Sequence, residues 1–318
     1  HYVEVVKAAN ADYRQGGNGS IKALSLFDRE HDNVNAGFEW SVARSNSSKE
    51  AASICSDYAR YASQILQLRK PPKTRIRWYS QALDAARYVE DVEAELVHLI
   101  GLGGAYRKLG ERETALDIYM NAREIAAKSS FPQLKAEILS SLGLEYRDRG
   151  EIHKARECFD EQLTISRELG NSRGVSLALV NLGNASLALG RVDEAIKRYE
   201  EAIDISRKIA DLQAEGLALG NLGRAYIQIK DSDRALEFCR QHLEISRKLG
   251  DRLGEATALF NIALASQQKG AVDEARAEAG AALEIYEQLE SANAERVRKW
   301  LAQLEPQLVT HDRGNETT

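Results

Sequence analysis

Little in this sequence would interrupt a helix. Only four prolines occur in 318 residues, and strand-like alternation is nearly absent, which excludes a sheet-based architecture and leaves an all-α chain. Cysteine is equally scarce. Cys55, Cys158 and Cys239 lie far apart with no paired spacing, so they suit a reducing compartment and form neither a disulfide framework nor a metal knuckle. The six histidines make no His-x3-His or His–Cys pair, which argues against metal. No apolar run approaches the roughly 18 residues of a membrane span. Basic charge is not in excess: the formal net charge is −5, which removes the electrostatic case for nucleic acid. The opening "HYVEVVKAAN" has no Met, no basic leader and no apolar leader, so a piece of a longer cytoplasmic protein is expected.

What the chain does have is a sentence repeated at a fixed stride. "NLGNASLALGRVDEAIKRYEEAI" (181–203) returns 40 residues later as "NLGRAYIQIKDSDRALEFCRQHL" and stands 40 residues earlier as "SLGLEYRDRGEIHKARECFDEQL". Three columns keep this spacing. One is Leu102-Gly103, Leu142-Gly143, Leu182-Gly183, Leu222-Gly223 and Ile262-Ala263. The second is Gly110, Gly150, Gly190, Lys230 and Gly270, and the third is Ala115, Ala155, Ala195, Ala235 and Ala275. Each unit reads as two helices. In one unit, Leu179, Leu182, Gly183 and Ser186 form the inner stripe of the first helix, and Ala195, Tyr199, Ala202 and Ile203 that of the second. Gly190 ends the first helix. Gly183 and Ala195 let the pair approach closely, with Tyr199 above them. Gly170-Asn171, Ala210-Asp211 and Gly250-Asp251 should end one helix and cap the next. One hairpin cannot bury its apolar face alone, so neighbours must stack into a solenoid.

Leu102-Gly103, Tyr106, Gly110, Ala115, Tyr119 and Ala122 match the pattern of the tetratricopeptide repeat, and the chain resembles that family in its longer, 40-residue form. Kinesin light chains, the polarity adaptors named for a Leu-Gly-Asn motif, and bacterial signalling ATPases carry similar repeats. The resemblance implies a right-handed solenoid of helix-turn-helix repeats. Residues 51–290 would hold about six units. The first, "RKPPKTRIRWYSQALDAAR", is degenerate, with Pro71-Pro72 between its helices. Residues 291–308 would be a capping helix with Val297, Trp300, Leu301 and Leu304 on one face, and 309–318 a disordered tail.

Residues 1–50 do not follow the repeat and read as an N-terminal helical connector, with "GGNGS" (16–20) as a loop. Leu26, Glu30, Asp32, Asn33, Val34, Ala36 and Trp40 resemble the segment that precedes such repeats in bacterial regulators of the signal-transduction ATPase class. That likeness implies a sensor and scaffold arm.

No catalytic constellation emerges. "GLGGAY" (101–106) lies within a helix and its glycines occupy repeat columns, which is not the context of a dinucleotide loop. "GGNGS" lacks the Lys-Ser/Thr of a phosphate loop. The expectation is a non-enzyme without cofactor or metal, whose partner is a protein or peptide segment. The chain's own N-terminal ATPase domains are one candidate, and a stand-alone adaptor is the alternative reading. The family's groove columns carry over to Ile100 and Arg107, Leu144 and Arg147, Val180, Asn184 and Leu187, Arg224 and Ile227, and Phe260 and Leu264. The apolar members would seat anchors and the arginines would hold carboxylates. Chaperone-tail binding is disfavoured, because Val180 stands where that clamp needs Lys. The competing reading buries some of the apolar members between repeats.

Overall fold

The computed structural model describes residues 1–15 and 18–312, and among them there are sixteen helices and no strand. The chain divides into two compact units, residues 1–165 and 166–318. Unit 1 holds α1 (Tyr2–Gln15), α2 (Asn18–Arg29), α3 (His31–Val42), α4 (Lys49–Arg69), α5 (Pro72–Tyr88), α6 (Val92–Leu109), α7 (Arg112–Ala127) and α8 (Pro132–Asp148). The division falls inside α9 (Ile152–Glu168). Unit 2 continues with α10 (Ser172–Ala188), α11 (Val192–Lys208), α12 (Leu212–Gln228), α13 (Ser232–Leu249), α14 (Arg252–Gln268), α15 (Val272–Gln288) and α16 (Asn293–Asp312). From α4 to α15 the helices pair as six successive hairpins, as the stride requires.

From α6 on, the residue pair that faces across each hairpin never sets two large side chains against each other. A Cβ on Gly183 would stand 2.8 Å from Cδ1 of Tyr199, so the ring fills the space the glycine leaves. Gly103 meets Tyr119 and Gly143 meets Phe159 in the same way, and Gly223 meets the smaller Cys239. Where the glycine becomes Ala263, the aromatic becomes Ala279, and both are fully buried. A ring faces a glycine, and where the ring is absent both partners are small, so the pair is never overpacked.

The turns obey an equally regular chemistry. Asp91, Asn171, Asp211 and Asp251 each cap a first helix, accepting from the amides of Ala94, Gly174, Ala214 and Gly254 at 2.9 to 3.0 Å. A side-chain acceptor here satisfies an amide that the helix cannot. Across three of these turns an arginine reaches a glutamate eight residues on: Arg87–Glu95 at 2.7 Å, Arg207–Glu215 at 2.6 Å and Arg247–Glu255 at 2.9 Å.

In the five hairpins from α6 on, a left-handed residue follows the first helix. Four members of that column are glycine, but Lys230 adopts φ 62°. A side chain in this conformation costs roughly 1–2 kcal/mol. Lys230→Gly should therefore stabilise unit 2 by about 1 kcal/mol, part of the relief being offset by a looser unfolded chain. A rise in the urea midpoint checks it.

The first 50 residues are more than a tether. Phe38 of α3 stacks on Trp78 of α5, ring centroids 3.9 Å apart, and Val6, Phe27 and Val34 are buried. Two boundaries differ from expectation. Asn18–Ser20, read as loop, forms the start of α2; Asn, Gly and Ser suit a first turn, where amides lack intrahelical partners. Residues 16 and 17 lie outside the described residues. α16 runs to Asp312, past the expected end at 308, and the rest of the proposed tail, 313–318, also lies outside. Its inner face does cap unit 2: Val297 and Leu304 are buried, and Trp300 and Leu301 pack on the cluster of Leu259, Phe260 and Tyr286.

Candidate peptide-binding face

The first helix of each hairpin presents the same columns, and each unit is best taken by itself. In unit 1, Ile100 and Leu144 are half-buried. Ile100 lines a recess of about 370 Å³ with Tyr61, Gln64, Val97, Leu134 and Glu137. The arginines here are not free forks, contrary to expectation. Arg107 places Nε 2.7 Å from Glu145 and Nη2 2.8 Å from Asp148. Arg147 also binds Asp148, at 2.7 Å. Glu145 is fully buried, so its carboxylate demands a cation. Burial pushes the Glu145 carboxyl up, and Arg107 opposes that rise. Burial also acts upward on Asp148, but hydrogen bonds from Arg147 and Arg107 outweigh it and hold the group below its ordinary value.

In unit 2 the columns sort by depth. Val180, Leu187 and Phe260 are buried, at 1%, 9% and 4% exposure. They pack between hairpins and cannot receive a partner's side chain, which corrects their reading as anchors. Asn184, Ile227 and Leu264 are half-buried and Arg224 is exposed. Asn184 is occupied too: its Oδ1 accepts from the Tyr199 hydroxyl at 2.9 Å and from Arg224 at 3.0 Å.

The open apolar surface of unit 2 lies one turn away from the expected positions. Leu177, Leu212, Leu217, Ile245, Leu249 and Leu253 line a groove of about 410 Å³. Leu217, Leu249 and Leu253 are 48%, 47% and 50% exposed. Three half-exposed leucines converging on one groove differ from isolated surface leucines, which need no explanation. A second, smaller recess of about 160 Å³ shares Leu217, His242 and Thr257 with it and is walled by Arg224, Asn261, Tyr286 and Arg296. Carry-over of family columns missed His242 because it sits on the second helix. The sequence did hold a signal: His242 occupies the small column of Ala202 and Ala282, and Gly220 replaces Val180 and Phe260 opposite it. A Cβ on residue 220 would stand 2.7 Å from His242 Nδ1.

Cys55, Cys158 and Cys239 are free and buried. Burial pushes the thiols of Cys55 and Cys239 up to about 11 and about 12, away from the thiolate that reactivity needs. Among the described residues no group of His, Cys, Asp and Glu could hold a metal ion, and no helix is long and apolar enough to cross a membrane.

The family model described as tetratricopeptide repeat matches residues 134–208 and 212–288. Those residues are tetratricopeptide repeats. The hairpins outside the match, α4–α5 and α6–α7, share the packing. Several solved structures share the fold. BtubC (BKLC) from P. vanneervenii is 24% identical with a TM-score of 0.60, over 69% of this chain and 92% of that one. A Rap protein complexed with competence and sporulation factor is 14% identical with a TM-score of 0.60, over 97% and 99%. A signal-transduction ATPase with numerous domains and a tetratricopeptide repeat sensor, PH0952 from Pyrococcus horikoshii, is 16% identical with a TM-score of 0.60; the match covers 93% of this chain and 48% of that one. No curated protein matches the chain.

Proposed function

We propose that this chain is a non-catalytic interaction module that holds a protein or peptide segment against the first-helix face of its tetratricopeptide hairpins. The observation that carries this reading is the groove of half-exposed leucines in unit 2. It offers apolar surface to a partner on a frame of stacked hairpins.

Within that function, the regulatory arm of a bacterial signalling ATPase or transcription regulator is the reading we favour. Two observations support it. The sensor-bearing Pyrococcus horikoshii protein has a similar fold over 93% of this chain. The segment from Leu26 to Trp40, which resembles the lead-in to such arms, forms α3 and the end of α2 and packs on the first hairpin through Phe38. The partner would then be a segment of the chain's own effector domains. An adaptor that binds a separate protein is the alternative.

Leu217→Asp with Leu253→Asp should abolish binding of the partner segment, a loss of at least tenfold in affinity, because each buried leucine contributes about 1.5–3 kcal/mol. Both positions are half-exposed, so the melting temperature should hardly move. Calorimetric titration of a segment drawn from the adjoining effector domain is the measurement. Unchanged affinity in a folded variant would move the site elsewhere.

A further inference from the structure

We propose that the small recess between α12, α14 and α16 is a carboxylate seat, so that the segment bound by this module carries an acidic group beside an apolar side chain lodged in the leucine groove. The inference rests on the interaction function just proposed and names the chemistry of its partner.

Asn261, His242, Arg224 and Arg296 converge on this recess. Asn261 is only 6% exposed, and its side-chain amide has no hydrogen-bond partner among the described residues. His242 is 8% exposed and also has no hydrogen-bond partner among the described residues, Asp251 being the charged group that acts on it. Its Nδ1 is shut bare against Gly220, which leaves Nε2 as the nitrogen able to bond a ligand. Buried polar groups are nearly always satisfied in a native protein, and exceptions call for an explanation. The Asn261 amide and His242 Nε2, both in the lining of the recess, are free to bond one ligand there.

The charge of that ligand follows from the arginines. Arg107, Arg147, Arg207 and Arg247 all bind carboxylates within their own unit. Arg224 and Arg296, which flank the recess, do not. Arg224 has only the neutral oxygen of Asn184, and Arg296 lies over the Phe260 ring, 4.9 Å from its centroid. Among the described residues no Asp or Glu lines the recess. Two guanidinium groups, an amide and an imidazole edge therefore face a space of about 160 Å³, suited to the planar acceptor pair of a carboxylate. The arrangement departs from the chaperone-tail clamp, whose Lys column is Val180, Gly220 and Phe260 here. It uses a histidine from the second helix instead. The shared lining of Leu217, His242 and Thr257 makes groove and recess continuous, so one short peptide can fill both.

The test is selection from a library of random octapeptides, half with free and half with amidated C-termini, on the whole chain. Calorimetry on a selected peptide follows. The expected result is enrichment of Leu, Ile or Phe together with Asp, Glu or a free C-terminus; the two halves of the library tell a side-chain carboxylate from a terminal one. Arg224→Gln with Arg296→Gln should weaken that peptide at least tenfold, with unchanged melting because both side chains are exposed. Replacing the peptide's own carboxylate by amide should cost as much, and the two losses should not add. His242→Ala, the residue usual in its column, should weaken binding severalfold. Peptides selected without any carboxylate preference, or a preference that survives the double arginine variant, would overturn the seat and leave the interaction function standing. A library that yields no binder would count against both. Enrichment of basic peptides would reverse the proposed charge.

Discussion

Gly183→Leu is expected to collapse the α10–α11 hairpin, with a loss well above 3 kcal/mol. Overpacking a core by a few methylenes typically costs about 1–3 kcal/mol, and here the added atoms meet a ring already closed over the glycine. The neighbours cannot give, because Tyr199 is itself fully buried and its hydroxyl is tied to Asn184. The position has an internal precedent for rescue. Ala263 with Ala279 shows that the hairpin accepts two small residues, so Gly183→Ala should be far less harmful when combined with Tyr199→Ala than beside the native ring. Gly280 is the control: it lies on the exposed side of α15, where an added Cβ would meet nothing within 4 Å. Gly280→Ala should stabilise by about 0.5–1 kcal/mol, as removal of a glycine from a helix interior does. Hydrogen exchange reads the rest. Protection in the Gly183→Leu chain should fall first in α10–α11 and then in α12–α13, since each hairpin leans only on its neighbours. Undiminished protection everywhere would refute this.

Unit 1 should be acid-labile through one histidine. His98 is fully buried in α6, its Nε2 2.8 Å from the Ser56 hydroxyl of α4, and its Nδ1 has no partner. Burial, with a smaller push from Arg60, lowers its pKa from 6.5 to about 3. In the unfolded chain the ring takes a proton near its ordinary pKa, whereas in the folded chain it takes none until far lower. Acid therefore favours the unfolded state: the stabilisation is complete above pH 6.5 and is lost progressively as pH falls toward 3. Each pH unit in that window is worth about 1.4 kcal/mol, so by about pH 4.5 the loss is about 2.7 kcal/mol. Ser56→Ala with His98→Leu removes the titrating group together with its hydrogen-bond partner. The gap in stability between wild type and this variant, measured by urea unfolding, should shift in the variant's favour by that amount between about pH 7.5 and about pH 4.5. A constant gap would show that His98 does not govern the acid limb.

The hairpins were legible because the stride of 40 puts three independent columns in phase. Gly183 and Tyr199, or Asp251 and the amide of Gly254, can be read off one repeat and checked against the others. Depth was not legible. The columns say which face of a helix Val180 and Phe260 share with Ile227, but burial depends on what the next hairpin brings over them, and Trp300 of α16 covers Phe260 from outside the repeat. The arginines misled for a related reason. Arg107 and Arg147 share one column and Arg224 lies three residues off it on the same helix face, yet Glu145 and Asp148 stand beside the first two while α12 and α14 offer Arg224 no carboxylate. The exchange of Gly220 for Val180 against His242 for Ala202 was visible, but only a reading of both helices together gives it meaning.

The arginine–glutamate pair that crosses the turn into a new hairpin has an effect on how such a chain can change length. If Asp211–Gly250 were excised, Arg207 would again stand eight residues before a glutamate, now Glu255, with Ala210 still supplying the left-handed residue and Asp251 the helix cap. The seam would close with its own parts. A gene encoding this chain can thus drop or duplicate a whole hairpin and inherit a finished joint, so the number of hairpins is free to drift while the geometry of each junction is not.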